Sequence, residues 1–245
     1  MANNKTVFFI LGILQIILGI FMIIPILVQF IYKEFDSTFI NSSLITIIIG
    51  ILFFLSNLDQ NKKINLQQAF LLTSLSWISI ALFGSLPFIF SKLNLSFHDA
   101  FFESMSGITT TGSTVINDLT IVPKSILIWR ALLQWLGGVG IVVMAITLMP
   151  FMNVGGMQLF KVDSGSSAEK ILPKTREIAF NIFFIYLFLT ILCGISYLIA
   201  GMNIFDSITH SMTTIATGGF SNYNESIGYF ENPKIEILSI IFILA

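Results

Sequence analysis

Between residues 7 and 32 the chain carries no charged side chain, and comparable apolar runs recur along most of its length. A helix needs about 20 apolar residues to cross a hydrocarbon layer of about 30 Å, so this feature removes the soluble folds. The composition agrees, with 55% apolar and 10% charged residues, where soluble domains carry about a quarter charged. The alternating segments of about 10 residues that mark a transmembrane barrel are missing from the sequence. The expected class is an all-α integral membrane protein. The first run is too long for a signal-peptide core and lacks a small-residue cleavage site, so it reads as a retained span. Cys193, the single cysteine, lies in an apolar run and cannot form an intrachain disulfide; packing or lipid contact is its expected role.

The hydropathy pattern predicts spans over residues 7–32, 39–58, 66–90, 125–151 and 178–200, and a sixth apolar run from 235 to 245. A short charged turn with Lys33, Glu34 and Asp36 closes the first two into a helical hairpin. Gly84 and Pro87 are expected to bend the outer end of the third. Four segments follow: 1–63, an amino-terminal two-helix hairpin; 64–152, a span, polar hairpin and span; 153–177, a cytoplasmic connection; and 178–245, the same unit begun again and cut short in its last helix. The stop inside an apolar run reads as a truncated gene or a fragment.

The two polar hairpins are one pattern written twice. Shifting DAFFESMSGITTTGS, from Asp99, by 107 positions lays it on DSITHSMTTIATGGF, from Asp206, pairing Thr110 with Thr217 and Gly112 with Gly219. A helix over residues 97–108 would rise about 18 Å at ~1.5 Å per residue, enough to enter the bilayer but not to cross it. Each begins with a cap signal, Ser96 or Asn203, with an aspartate three residues on. Non-helical backbone at membrane depth is tolerated where it is buried in protein or lines a water-filled path. The Thr and Gly of residues 109–112 and 217–219 supply the carbonyls, hydroxyls and flexibility that replace the hydration shell of a monovalent cation.

Placing the amino terminus in the cytoplasm gives the inner segments most of the Lys and Arg and the outer segments most of the Asp and Glu. Both hairpins then enter from an acidic outer face that concentrates cations. Other constellations carry less. Gly137, Gly138 and Gly140 lie inside a span without GxGxxG spacing and read as close helix packing. His98 and His210 have no partners at metal-ligand spacing. Glu103 and His210 fall at equivalent repeat positions and are expected beside the polar turns on their short helices. Arg130, in the fourth span, reads as a snorkelling side chain without an assignable partner. No carboxylate pair or nucleophile set suggests catalysis, and nothing suggests nucleic-acid binding.

The order of spans and hairpins, together with SMSGITTTGSTV, SMTTIATGGFS, QWLGGVGIVV at 134–143 and GGMQLFKVDSGSSAEKILPKTRE at 155–177, resembles the amino-terminal half of the TrkH-type potassium uptake family, in the superfamily that includes KtrB and the plant HKT transporters. In that family four span-hairpin-span repeats surround one ion path, as in a potassium-channel pore. The resemblance implies that Thr110, Thr111 and Gly112 form a first filter segment and Thr217, Gly218 and Gly219 a second, with K+ held at Thr110, Thr111, Thr217 and Gly218. It implies potassium ion as the transported substrate with no other cofactor, potassium uptake across the inner membrane, lipid contact, assembly as a homodimer, and a cytosolic nucleotide-binding regulatory subunit of TrkA type docking near Lys161, Lys170, Lys174 and Arg176. Repeats three and four are absent from this sequence. The alternatives are a secondary transporter that binds another substrate between broken helices and a nonfunctional fragment.

Overall fold

The computed structural model describes residues 5–34, 36–58, 66–152 and 171–245. Helices α1 (Lys5–Phe21) and α2 (Ile23–Tyr32) form the first apolar stretch. They are separated at Met22 because Pro25 lacks the amide that would bond to the Phe21 carbonyl. Helix α3 (Thr38–Leu55) ends three residues before the predicted boundary and packs along α1. Small residues set that approach: a Cβ on Gly12 would lie 2.6 Å from the Phe54 amide, and Ser43 Oγ donates to the Gly19 carbonyl at 2.8 Å.

Helix α4 (Leu66–Gly84) continues as α5 (Leu86–Phe90) after a break at Ser85, the bend expected from Gly84 and Pro87. The short helix α6 (Phe97–Ile108) comes next, then α7 (Lys124–Met152), α8 (Ile171–Ala200) and a second short helix, α9 (Ile204–Ile215). A 3-10 turn (Ser226–Phe230) leads to α10 (Pro233–Leu244). Among the described residues, Lys5–Tyr32, Thr38–Leu55, Gln67–Phe90 and Glu177–Ala200 are long and apolar enough to cross a membrane. The protein is an all-helical membrane protein.

Helix α7 organises the molecule. It touches α2, α4, α6, α8 and α9, and every residue from 125 to 135 is buried. Trp129, Leu132 and Leu133 fill the core with Phe39, Phe88 and Phe205, and the Trp129 indole donates to the Gly84 carbonyl at the α4–α5 bend, 2.9 Å away. The opposite pattern marks α8, where Phe180, Phe184, Phe188, Ile191 and Ile195 are exposed; their spacing of three or four residues forms one lipid-facing stripe. Cys193, on the other side of α8, is buried against Tyr197 and Ile235, which settles its role as packing.

The amino-terminal hairpin is fastened to this core by polar contacts. Glu34 accepts from the amides of Lys124 and Ser125 at 2.6 and 3.1 Å and from Ser125 Oγ at 2.7 Å. A carboxylate at the amino end of α7 satisfies orphan amides and opposes the helix dipole. Gln15 Nε2 donates to Ser79 Oγ at 2.6 Å, and Thr38 Oγ1 to the Phe90 carbonyl at 3.3 Å.

Candidate ion-path hairpins

The two short helices are built alike from their first residue. The side chain of Ser96 accepts from the Asp99 amide and that of Asn203 from the Asp206 amide, so each cap signal forms the predicted bond. Both helices run for 12 residues, a rise of about 18 Å.

The turns that follow share their first backbone bonds at the offset of 107. The Thr110 amide donates to the Gly107 carbonyl and the Thr217 amide to Thr214; the Thr111 amide donates to Ser106 and the Gly218 amide to Thr213, each at 2.9 Å. Thr110 has φ of 56° and Thr217 of 52°, while Gly112 and Gly219 have 81° and 78°. A β-branched residue in left-handed backbone costs on the order of 1–2 kcal/mol, so two threonines at the same repeat position mark an imposed shape. Each short helix directs its carboxyl end, the negative end of its dipole, into such a turn, which favours a cation there.

Behind the turns, the repeat positions keep their geometry and change their chemistry. Glu103 on α6 accepts from Thr114 Oγ1 and from the Val115 amide, each at 3.0 Å. Its repeat partner His210 on α9 sits 2.9 Å from Ser221 Oγ through Nε2 and 2.9 Å from the Asp206 carbonyl through Nδ1. The residues contacted, Thr114 and Ser221, are again separated by 107. Both Glu103 and His210 lie beside the turns, as expected from their register.

Arg130 departs from its predicted role. Its side chain is 2% exposed and pairs with Glu103, Nε to Oε1, at 2.8 Å. Its Nη1 donates to the Ser221 carbonyl at 2.8 Å, and its guanidinium lies 4.1 Å from the centre of the Phe220 ring. A snorkelling arginine would face the interface; this one joins the first short helix to the segment after the second turn. One helical turn on, fully buried Gln134 donates through Nε2 to the Gly218 carbonyl at 2.7 Å and accepts through Oε1 from the Phe220 amide at 3.1 Å.

In the rest of the QWLGG motif the tryptophan faces α8 and the two glycines face the hairpins. Trp135 Nε1 donates to Thr190 on α8 at 3.1 Å. A Cβ on Gly137 would strike the Ile108 carbonyl at the end of α6, and one on Gly138 would fall 3.3 Å from Ala216 at the end of α9. Paired glycines thus let α7 slide between the ends of both short helices. A Cβ on Gly140 would meet nothing within 4 Å among the described residues, so close packing within them does not account for it.

The six proposed filter residues divide by environment. Gly112 and Gly218 meet, since a Cβ on Gly112 would strike the Gly218 carbonyl oxygen. Gly218 is buried under Gln134, whereas Thr111, Thr217 and Gly219 are exposed and Thr110 is half-buried. Thr109 Oγ1 donates to the Met105 carbonyl and shares a 2.8 Å bond with Thr111 Oγ1. The sequence reading missed Gln134 and Glu34; an amide inside an apolar run was the available signal for Gln134. His98 is exposed, beside the Phe97 ring. Of the basic segment at 155–177, residues 155–170 lie outside the described residues.

Two short helices that end in Thr/Gly turns, held by Arg130 and Gln134 of an apolar helix between them, define an all-helical membrane protein with a duplicated hairpin. Residues 35–245 match the family model TrkH, described as a cation transport protein; the chain belongs to this family. It is 41% identical over 239 residues to the Trk system potassium uptake protein TrkH of Escherichia coli, covering 96% of this chain and 50% of that protein. It is 33% identical over 237 residues to the Trk system potassium uptake protein TrkG of the same species. The crystal structure of the potassium transporter TrkH from Vibrio parahaemolyticus matches 99% of this chain and 49% of that one, with a TM-score of 0.87 at 35% identity. The chain spans about half the length of these relatives, all of them transport proteins.

Proposed function

We propose that the chain contributes two quarters of a potassium uptake path. In this reading backbone carbonyls and Thr oxygens at Thr110, Thr111, Gly112, Thr217, Gly218 and Gly219 replace the water around K+, with the ion held at Thr110, Thr111, Thr217 and Gly218. The observation that carries it is the matched backbone of the two turns, in which Thr110 and Thr217, then Gly112 and Gly219, repeat the same positive φ. Equivalent turns at equivalent depth are what a ring of carbonyl ligands requires. Relatives named as potassium uptake proteins support K+ as the substrate.

The amino terminus lies in the cytoplasm and the protein in the inner membrane, with the hairpins entering from the outer side. It assembles as a homodimer, and a nucleotide-binding subunit of TrkA type docks on its inner face. Gly112→Ser and Gly219→Ser test the filter directly. Each places a side chain on left-handed backbone, and the potassium over sodium preference of uptake into deficient cells falls toward unity. An unchanged preference in both variants removes these residues from the filter.

A further inference from the structure

We propose that Gln134 is a positioning residue that fixes the direction of the Gly218 carbonyl, and through it the ion preference of the second polar turn. The inference rests on the potassium-path reading and adds to it a residue outside the filter.

A carbonyl oxygen has two lone pairs. Gln134 Nε2 takes one of Gly218's at 2.7 Å from the α7 side, on an oxygen that also faces Gly112, and in this proposal the second serves the cation. The same amide accepts from the Phe220 N–H at 3.1 Å, so one rigid side chain grips the backbone on either side of Gly219. Gly219 is the residue most able to rotate there, with φ of 78° and open space around it. Without the grip, the peptide groups flanking it lose both hydrogen bonds from α7.

The amide has one workable orientation: flipped, it would set donor against donor at Phe220 and acceptor against acceptor at Gly218. Its own support is firm. Gln134 is fully buried, and a Cβ on Gly218 would strike its Cδ, so the side chain lies directly against the turn. Arg130, four residues earlier on the same face, holds the Ser221 carbonyl, three residues beyond Gly218, at 2.8 Å. Gln134 makes no contact with the ion; it acts through the carbonyl.

The test measures rubidium and sodium uptake by the full chain in proteoliposomes, for wild type, Gln134→Met and Gln134→Glu. Methionine keeps the bulk and removes both bonds, and the rubidium over sodium ratio falls about tenfold, the ratio equivalent to one buried amide hydrogen bond. Glutamate keeps the acceptor for Phe220, but its carboxylate repels the Gly218 oxygen; its protonated form donates to it again. Selectivity of Gln134→Glu is therefore poor at high pH and recovers as pH falls. The titratable groups on surrounding elements are Glu103 on α6, Tyr186 on α8 and His210 on α9, besides Arg130 on α7; all are common to wild type, which lacks this profile.

Recovery at low pH in the glutamate variant alone separates a donated hydrogen bond from filled space. Folded variants with wild-type ratios at every pH overturn the proposal. Failure of both variants to insert makes Gln134 a folding residue and also overturns it. Wild-type protein without rubidium preference removes the potassium-path reading itself, a different result from selective wild type with unaltered variants.

Discussion

The two polar turns share a backbone and differ in what stands behind them. In the second, Gly218, Phe220, Ser221 and Asn222 are buried, and fully buried Asp206 accepts from Asn203, Asn222 and Tyr223. In the first, the equivalent positions Thr111, Ser113 and Thr114 are exposed, and Asp99 accepts from Ser96. Helix α7 causes the difference. It follows the first turn in sequence and places Arg130 and Gln134 against the second. Helix α7 of the first repeat therefore serves the turn of the second, whose shape is encoded locally while its rigidity is supplied by a neighbour.

The largest test of this asymmetry lies at Glu103 and His210. Arg130→Met leaves the Glu103 carboxylate buried without its cation, and breaking such a pair costs about 3–5 kcal/mol. His210→Ala removes a neutral contact to Ser221, with an expected loss of about 1–3 kcal/mol. Thermal unfolding in detergent should rank Arg130→Met well below His210→Ala. Adding Glu103→Gln to Arg130→Met should recover part of the loss. If the double variant is less stable than Arg130→Met alone, the two residues do not act as a pair.

A second test uses the glycines that seat the short helices. Gly137→Ala drives a methyl group into backbone, the Ile108 carbonyl, and overpacking of this kind costs about 1–3 kcal/mol. Gly138→Ala meets the Tyr186 hydroxyl at 2.6 Å, the far end of a side chain that can move, so the cost is smaller. Gly140→Ala has open space and should leave the melting temperature unchanged. Equal destabilisation by all three would mean that α7 does not discriminate between the two repeats.

Local features were legible in the sequence and distant pairings were not. The duplicated hairpins, their caps at Ser96 and Asn203, and the bend at Gly84 and Pro87 depend on residues a few positions apart, where spacing determines contact. The Glu103–Arg130 pair spans 27 residues, and Gln134 reaches Gly218 across 84; no periodicity carries such information. Arg130 read as snorkelling because the hydropathy of its own helix gave no hint of a buried acid on α6. Gln134 carried a weaker signal, a polar residue one turn from an arginine on an apolar helix, and such residues are functional by default. The break at Met22 was legible in principle, since Pro25 stands four residues after Phe21.

The smallest effect should come from the caps, where local chemistry is most alike. Replacing a capping side chain by alanine costs about 0.5–2 kcal/mol. Ser96 bonds the Asp99 amide and an exposed carboxylate, so Ser96→Ala should fall at the low end. Asn203 accepts from the Asp206 amide at 2.9 Å and donates to the buried Asp206 carboxylate at 2.6 Å, so Asn203→Ala also strips a donor from a desolvated charge and should fall at or above the high end. Asn203→Ser transplants the cap of the first repeat, whose hydroxyl accepts from the amide and donates to the carboxylate, and should lie between wild type and Asn203→Ala. If unfolding shows Ser96→Ala and Asn203→Ala to be equal, the buried network behind the second turn adds nothing to its cap, and the two repeats differ in exposure without differing in strength.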